Sequence, residues 1–344
     1  MDILMPQVKK TLARFLEGKE SEDPSSAVPV IAQAVAYFLD AGGKRIRPHL
    51  AVLGWRAAGG KTPEHQIIHI GAFLELFHSF LLIHDDVMDE SPTRRGKLTL
   101  HHLFTHRWGN THGPDGADWF GDVAAITAGD MVYAWSDEIL SMAGLTRNQQ
   151  LHVMPHINRM RQEAIAGQFL DLWTTGHPTD DCVKAMTISR YKTAHYTIHR
   201  PLRIGAALAG GSKELHTALE DFAVPLGEAL QLRDDLLDIF GDPYVTGEPA
   251  SDDLEQGKHT PVVALALKRL TPTGRTELLR HVGTPDGTGR ARRLIEESGA
   301  PDLVEKMITT RYRTALAALQ RAPIPPTVYT ELEEIADTAT HRKA

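Results

Sequence analysis

Cysteine is scarce in this sequence of 344 residues, and a net positive charge is absent. It contains one cysteine, Cys182, which excludes an internal disulfide and a Cys-x-x-Cys metal site and agrees with a reducing compartment. The formal net charge is −7 and the pI is near 6.2, which argues against the basic surface typical of a nucleic-acid-binding protein. We therefore expect a cytoplasmic protein whose partners are small molecules.

Long uncharged hydrophobic runs are also missing. The first residues show no basic segment followed by an apolar one, so no secretory signal is predicted. The most apolar stretch, residues 66–84, is interrupted by Glu75 and three histidines, and it predicts a buried core helix without a membrane span. With 42% hydrophobic and 24% charged residues, the composition is that of a globular protein.

Strand signals and nucleotide-binding loops are rare or absent. Few segments alternate apolar and polar residues between hairpin turns, and no strand pattern leads into a glycine-rich phosphate loop. Apolar residues instead recur at steps of three and four, as in Ile67, Ile70 and Leu74. The sequence therefore predicts helices, and it predicts that any phosphate is bound by a device other than these loops.

One acidic pattern, D-D-x-x-D, occurs twice within apolar helical segments, beginning at Asp85 and at Asp234. The first and fifth residues of this pattern lie one helical turn apart on the same face. Asp85 is thus paired with Asp89, and Asp234 with Asp238. A single copy is explained equally well by a solvated acidic helix face, but the repetition favours a shared function.

The chemistry of these clusters indicates a divalent metal ion. Carboxylates grouped in an apolar segment repel one another and are costly to desolvate unless a cation compensates them. Magnesium prefers oxygen ligands and commonly combines one or two carboxylates with phosphate oxygens and water. Two such clusters facing each other therefore predict Mg²⁺ ions that link the protein to a diphosphate.

Two compact basic clusters complement the acidic ones. Lys44, Arg45 and Arg47 follow a pair of glycines, and Arg94 and Arg95 follow the first acidic cluster. Arginine binds phosphate oxygens with two parallel hydrogen bonds and lysine supplies a point charge, so both clusters suit a diphosphate. Either cluster taken alone would be interpreted as a solvated surface patch.

With these clusters, further motifs make the sequence resemble the trans-isoprenyl diphosphate synthases, the polyprenyl synthase family that includes farnesyl and geranylgeranyl diphosphate synthases. The resemblance covers most of the chain. Its motifs lie at residues 42–48, 75–78, 82–86, 94–96, 129–130, 167–168, 192–194 and 231–242. It implies the all-α isoprenoid synthase fold, with one domain over residues 1–344 and antiparallel helices around a deep central cavity.

The resemblance also implies roles for individual residues in binding two substrates. The diphosphate of isopentenyl diphosphate would be bound by Lys44, Arg47, His78 and Arg95. The allylic diphosphate would be held by Arg94, Lys192 and Lys258. Lys192, Thr193 and Gln231 would be the catalytic residues, the last two near the developing carbocation. Without the resemblance, His78 is as readily a core histidine, and Lys192 and Thr193 an ordinary helix surface.

For the metal, the resemblance implies a magnesium cluster, with three ions when substrate is bound, and a homodimeric protein. Its ligands would be Asp85, Asp89 and Asp234, with Asp86, Asp235 and Asp238 in supporting or water-mediated contacts. Gln168 and Asp171, one turn apart, are expected to be polar lining of the cavity.

Two segments depart from the family pattern. Many members have a lysine after the glycine of the loop beyond the second acidic cluster, where this sequence has Glu248, so a phosphate-binding cation is missing there. Residues 105–121 are longer than in compact relatives, and we expect them to form a surface loop.

Bulky residues before the first acidic cluster are expected to limit the length of the product. Phe80 and Phe77 lie five and eight residues before Asp85, about 7.5 and 12 Å along a helix axis. Because Phe80 occupies the five-before position and Leu81 the four-before position, the C20 product geranylgeranyl diphosphate is favoured over C15 farnesyl diphosphate. Ordinary core packing of both phenylalanines is the alternative.

Two further functions compete with chain elongation. A terpene cyclase would share the helical fold, but cyclases usually replace the second acidic cluster and need no site for isopentenyl diphosphate. A non-catalytic partner subunit generally lacks one acidic cluster, whereas this sequence has both.

Overall fold

Helices account for most of the regular structure in a computed structural model of the chain, which describes residues 4–22, 24–61, 63–241 and 251–341. The prediction of an all-α protein is confirmed. In chain order the first helices are α1 (Leu4–Glu20), α2 (Val28–Asp40), α3 (Ile46–Ala57), α4 (Glu64–Met88), α5 (Leu100–His112), α6 (Ala117–Ser141) and α7 (Arg147–Thr174). A short antiparallel hairpin, β1 (Thr93–Arg94) and β2 (Lys97–Leu98), separates α4 from α5.

The remaining elements include a wide π-helix and a short 3₁₀-helix. They are α8 (Cys182–Ser189), the π-helix (Arg190–His199), α9 (Arg200–Leu208), α10 (Lys213–Phe240), α11 (Asp252–Gln256), α12 (Pro261–Arg269), α13 (Pro272–His281), the 3₁₀-helix (Pro285–Gly287), α14 (Thr288–Glu297), α15 (Ala300–Leu319) and α16 (Pro326–Thr340).

The chain divides into two compact units. The first comprises Met1–Val52 and Lys61–Arg147, and the second comprises Leu53–Gly60 and Asn148–Ala344. The single domain predicted over residues 1–344 stays a prediction.

The core of the first unit is built around α4, which packs against α1 and α6. Phe73, Leu74 and Phe77 have no exposed surface. By length and composition alone α4 could cross a membrane, yet 72% of its most apolar stretch is buried inside the protein. A helix that is apolar on all sides is expected at the centre of a core, which agrees with the core helix predicted for residues 66–84.

The core of the second unit is built around α10, which packs against α15 and the π-helix. The buried carboxylate of Glu228 joins these three helices by accepting hydrogen bonds from Arg190 Nε and Arg311 Nε, both at 2.7 Å. Burying a carboxylate is costly unless it is paired, and two arginines compensate this one.

The π-helix lies within a continuous helical segment, residues 182–208, where the sequence predicted no departure from α geometry. Its backbone is approached closely by glycines from two neighbouring helices. A Cβ atom on Gly167 of α7 would lie 2.4 Å from Lys192 N, and one on Gly227 of α10 would lie 2.7 Å from Ala194 Cα. Glycine at both positions therefore makes room for the wide turns, which are frequent at functional sites.

The prediction of a surface loop over residues 105–121 is wrong. Helix α5 continues to His112 and α6 begins at Ala117, so a short connection remains between them. Trp108 explains this helical extension because its ring stacks on His112 and on Phe120, with centroid distances of 4.0 and 4.1 Å. The apolar contact fixes both helix ends against each other.

Candidate active site

The first acidic cluster occupies the C-terminal end of α4. Asp89 is the C-cap residue, and its backbone N–H donates to the carbonyl of Asp85 at 2.8 Å. A helix C-terminus carries partial negative charge, so acidic side chains are unfavourable there in the absence of a cation. The last turn of α4 contains no basic residue. This placement favours a bound metal ion over a merely solvated acidic face.

Within this cluster, Asp86 differs from its neighbours because it is only 1% exposed. Its Oδ1 accepts a hydrogen bond from Arg94 Nε at 2.6 Å, which ties the β1–β2 hairpin to α4. Burial raises the pKa of Asp86 to about 6 in spite of the attraction of Arg94. Asp85 and Asp89 are half-buried, so they are the more accessible carboxylates of the three.

The second acidic cluster, near the end of α10, repeats this arrangement. Asp235 is 3% exposed, and its Oδ1 accepts from Gln231 Nε2 at 2.7 Å. Burial, together with the nearby charge of Asp253, raises the pKa of Asp235 well above its usual value. Asp234 and Asp238 are half-buried. Each D-D-x-x-D pattern thus presents two accessible carboxylates beside one buried carboxylate.

Asp253 on α11 connects the second cluster to a lysine. Its backbone N–H donates to both carboxylate oxygens of Asp238, at 3.4 and 3.3 Å, and its own carboxylate lies 3.3 Å from Lys258 Nζ. Burial and the charge of Asp253 raise the pKa of Asp238 to about 8. This role of Asp253 was not predicted from the sequence.

The carboxylates fit a metal ion that takes some of its ligands from the protein and the others from a substrate. In the part of the chain that the structure describes, no three His, Cys, Asp or Glu side chains converge closely enough to hold a metal by themselves. The buried Oδ2 atoms of Asp86 and Asp235 also accept no hydrogen bond from the described residues. Both observations suit Mg²⁺, which takes a few carboxylates and completes its shell with phosphate oxygens and water.

The side chain of Arg95 packs against the glycine turn between α2 and α3. Arg95 Nη1 donates to the carbonyl of Gly42, and a Cβ atom on Gly43 would lie 2.7 Å from that same nitrogen. Both glycines have positive φ, which other residues rarely adopt. On the same loop Lys44 is exposed, whereas Arg45 forms an ion pair with the buried Glu75 that the sequence did not predict.

His78, on α4, lies among these arginines. Burial lowers its pKa well below the usual value, and the charges of Arg47, Arg95 and Arg94 lower it further. The imidazole is therefore neutral and can donate one hydrogen bond. Of the residues predicted to bind isopentenyl diphosphate, the structure brings Arg47, His78 and Arg95 close together, and Lys44 lies on the adjoining loop.

Two of the residues predicted to bind the allylic diphosphate, Lys192 and Arg94, form ion pairs with carboxylates. Lys192, on the π-helix, donates from Nζ to Asp171 Oδ2 at 2.6 Å, so the predicted polar lining of α7 includes its anionic partner. Thr193 follows it and is half-buried. Arg94, predicted for the same diphosphate, belongs to the first unit and pairs with Asp86. The loop position Glu248 lies outside the described residues.

An aromatic cluster lies on α4 before the first acidic cluster. The ring of Phe80 is 5.7 Å from that of Phe77 and 5.0 Å from that of Tyr133 on α6. Phe77 is fully buried, whereas Phe80 and Tyr133 are half-buried. Tyr133 is a contributor that the sequence analysis missed, because its contact joins residues 53 positions apart.

A second feature missed from the sequence is a buried ion network centred on Glu163 of α7. The carboxylate, 4% exposed, accepts two hydrogen bonds from Arg200 and one from Arg159, each at 2.7 Å, and lies 3.2 Å from His195 Nδ1. Burial alone would raise its pKa, but the hydrogen bonds from His195, Arg200 and Arg159 outweigh burial and hold the pKa far below the usual value. The network connects α7 with the π-helix and α9.

Comparison with known proteins agrees with the geometry of these two units. The Polyprenyl synthetase family profile matches residues 28–297. A solved geranylgeranyl pyrophosphate synthase from Corynebacterium glutamicum, complexed with isoprenyl diphosphate and magnesium, has a TM-score of 0.92 and 36% identity, with 100% of both chains covered. Geranylfarnesyl diphosphate synthase of Aeropyrum pernix is 32% identical over 299 residues, which are 85% of this chain and 88% of that protein. Octaprenyl diphosphate synthase of Escherichia coli is 30% identical over 321 residues, 89% and 88% of the two chains.

A helical fold with two D-D-x-x-D clusters and basic side chains suited to diphosphates defines an enzyme of isoprenoid chain elongation. The chain belongs to the polyprenyl synthetase family. The predicted activity, a trans-prenyltransferase of the isoprenyl diphosphate synthase type, is thereby confirmed.

Proposed function

We propose that this enzyme adds isopentenyl diphosphate to the allylic primers dimethylallyl, geranyl and farnesyl diphosphate and stops mainly at C20 geranylgeranyl diphosphate. The observation that carries this proposal is the aromatic cluster of Phe77, Phe80 and Tyr133. Phe80 and Phe77 of this cluster lie about 7.5 and 12 Å along α4 from Asp85 by helix geometry, where the cluster would stop a growing apolar tail. The solved synthase from C. glutamicum is named for the same product, which supports the proposal.

For isopentenyl diphosphate, we assign the binding site to Lys44, Arg47, His78 and Arg95. Four arginines and a neutral histidine are concentrated in this region, with Glu75 and Asp86 as the carboxylates paired to two of them. This concentration of positive charge suits a diphosphate that binds without metal. Arginine forks fit its oxygens, and the imidazole adds one neutral hydrogen bond.

The metal site would use Asp85, Asp86, Asp89, Asp234 and Asp238 to hold Mg²⁺, with three ions when substrate is bound. Asp85, Asp89, Asp234 and Asp238 are the accessible ligands, and Asp86, like Asp235, supports them from a buried position. The bound ions supply positive charge to the departing diphosphate. Both clusters serve one reaction, so the loss of either should abolish it.

The chain's own residues would act mainly by stabilising charge. Lys192, Lys258 and Arg94 bind the allylic diphosphate and offset its charge as the allylic C–O bond breaks. The side-chain oxygens of Thr193 and Gln231 face the allylic carbocation that remains. The double bond of isopentenyl diphosphate then attacks this cation to form the new C–C bond, and a proton passes from the adduct to the released diphosphate to restore a double bond.

At the level of the whole protein, we propose a single catalytic domain over residues 1–344, a cytoplasmic location and a homodimer. Support for the homodimer includes exposed apolar side chains on α7, where Phe169 and Trp173 stack with a centroid distance of 5.9 Å. Support for the location is the single cysteine.

A product assay tests the proposal. Purified enzyme, Mg²⁺ and labelled isopentenyl diphosphate are incubated with each primer, and the dephosphorylated products are sized. We expect C20 from all three primers, and mainly C15 would refute the C20 assignment. Cyclic hydrocarbons would indicate a terpene cyclase, and no product without a second protein would indicate a partner subunit.

Variants of the acidic clusters test the metal site. Asp85→Asn and Asp234→Asn should each lower kcat by at least about 100-fold, because each removes charge that stabilises the departing diphosphate. Asp302→Asn, at an exposed position on α15, is a matched control that should leave turnover unchanged. Undiminished turnover in either cluster variant would refute the assignment of that cluster.

A further inference from the structure

Lys258 lies in a four-residue connection between α11 and α12. Its backbone N–H donates to the carbonyl of Asp253 at 2.9 Å, and its Nζ lies 3.3 Å from the Asp253 carboxylate. A lysine side chain has many rotamers, so the precision with which it meets a phosphate depends strongly on how firmly its backbone is held.

Before the lysine, the backbone is fixed by a contact between glycines. Gly257 adopts a positive φ of 74°, and its carbonyl accepts from the N–H of Gly176 at 2.9 Å. A Cβ atom on Gly257 would lie 3.2 Å from backbone atoms of both Gly176 and Gly283. Three loops therefore meet at this position, where a Cβ atom would be tightly packed and the positive φ favours glycine.

After the lysine, the chain is fixed by the side chain of His259, which is 2% exposed. The backbone N–H of Thr179 donates to Nδ1 at 3.3 Å, and Nε2 lies 3.2 Å from the carbonyl of Asp181. A carbonyl can only accept, so the ring proton must be on Nε2 and the imidazole must be neutral. Burial lowers the pKa of His259, which agrees with this neutral tautomer.

The hydrogen-bond partners of the Gly257 carbonyl and of the His259 ring all belong to one connection, residues 175–181, which joins α7 to α8. The helix that leads into this connection carries Asp171, the ion-pair partner of Lys192 at 2.6 Å. Both lysines that we assign to the allylic diphosphate in the second unit are thus held by consecutive parts of the same segment, residues 171–181.

We propose that His259 is a positioning residue that fixes Lys258 for the allylic diphosphate by bonding the connection after α7. This inference rests on the proposed role of Lys258. His259 does not touch the substrate itself, and its two buried hydrogen bonds act through the backbone of the neighbouring lysine. A misplacement of about 1 Å costs up to about 100-fold in rate, so removing these bonds should have a measurable effect.

Three substitutions of His259 test the proposal. His259→Phe keeps a ring but removes both hydrogen bonds, and we expect kcat/KM for the allylic substrate to fall about 10- to 100-fold while KM for isopentenyl diphosphate stays unchanged. His259→Asn restores an acceptor near Nδ1 and His259→Gln a donor near Nε2, so each should recover part of the loss. If the Phe variant does not fold, as judged by circular dichroism, the Asn and Gln variants carry the same comparison against the wild type.

A double-mutant cycle with Lys258→Ala separates this inference from the proposed function. We expect His259→Phe to have little further effect in the Lys258→Ala background, because the group that it positions is gone. An equal effect in both backgrounds, or an equal rise in KM for both substrates, would overturn the positioning role. If Lys258→Ala alone leaves the allylic kcat/KM unchanged, the assignment of Lys258 is refuted as well. His156→Phe, a half-buried histidine on α7, is the control for the ring substitution and should leave both KM values unchanged.

Discussion

Replacing Phe80 with alanine should lengthen the product by about one isoprene unit. Phe80 and Phe77 are separated by three residues, about 4.5 Å along the axis of α4. An isoprene unit spans four C–C bonds, or about 4–5 Å when extended, judged from bond lengths of ~1.5 Å. Removal of the outer ring should therefore admit one additional unit before the growing tail meets Phe77.

Part of the effect of this substitution will be on stability. Phe→Ala costs about 3–5 kcal/mol of unfolding free energy at a fully buried position, and the half-buried Phe80 should cost less. Tyr133 limits the gain in space, because its ring is 5.0 Å from Phe80 and can move into the cavity. Phe77,Phe80→Ala,Ala should lengthen the product by more than the single substitution does.

The assay is the sizing of dephosphorylated products by reversed-phase chromatography, with farnesyl diphosphate as primer. Phe104→Ala, at a buried position of α5, is a matched control that loses the same ring outside the aromatic cluster. It should lower stability and leave the product length unchanged. A folded Phe80→Ala enzyme that still makes the wild-type distribution would show that Phe80 does not limit elongation.

Two further substitutions test the packing of the second unit. Glu163→Gln should lower the unfolding free energy by about 3–5 kcal/mol at pH 7 in urea titrations, because the buried Arg200 loses its anionic partner. The folded pKa of Glu163 lies below its ordinary value of 4.5, so this stabilisation is fully present above pH 4.5 and is lost as the pH falls further. A stability difference from wild type that does not shrink below pH 4.5 would contradict this reasoning. Gly227→Ala should cost about 1–3 kcal/mol and reduce activity, since its Cβ would lie 2.7 Å from Ala194 of the π-helix. Gly289→Ala, in open space on α14, should cost nothing, and equal melting temperatures of the two variants would refute the steric account.

The repeated acidic pattern could be predicted from the sequence because its spacing matches one helical turn. The difference in burial between the aspartates of each pattern could not be predicted from the sequence. Asp86 and Asp235 are buried, whereas Asp85 and Asp234 are half-buried, because the helices α4 and α10 each turn one side toward a core. Which side faces the core depends on tertiary packing, including the hydrogen bond from Arg94 to Asp86, whereas the pattern itself is identical in both copies.

The helical extension after residue 105 and the π-helix were missed for a related reason. The greater length of residues 105–121 than in compact relatives indicated a loop, but the stacking of Trp108 on Phe120 stabilises helix there. The wide turns around Lys192 depend on two glycines from other helices, and no local preference of residues 190–199 indicates them. Local propensity is a weak guide wherever tertiary contacts supply the deciding free energy.

The π-helix also has a consequence for insertions and deletions. Its hydrogen bonds span one residue more than those of an α-helix, so it holds an additional residue per turn between the apolar faces of α8 and α9. A chain shortened by one residue within 190–199 could keep both flanking faces in register by returning one turn to α geometry. Only the residues inside the rearranged segment would then be displaced around the axis, by up to about 100°. The angular position of Lys192 therefore depends on the number of residues in the π-helix, and a homologue with one residue fewer would place a different side chain at this position.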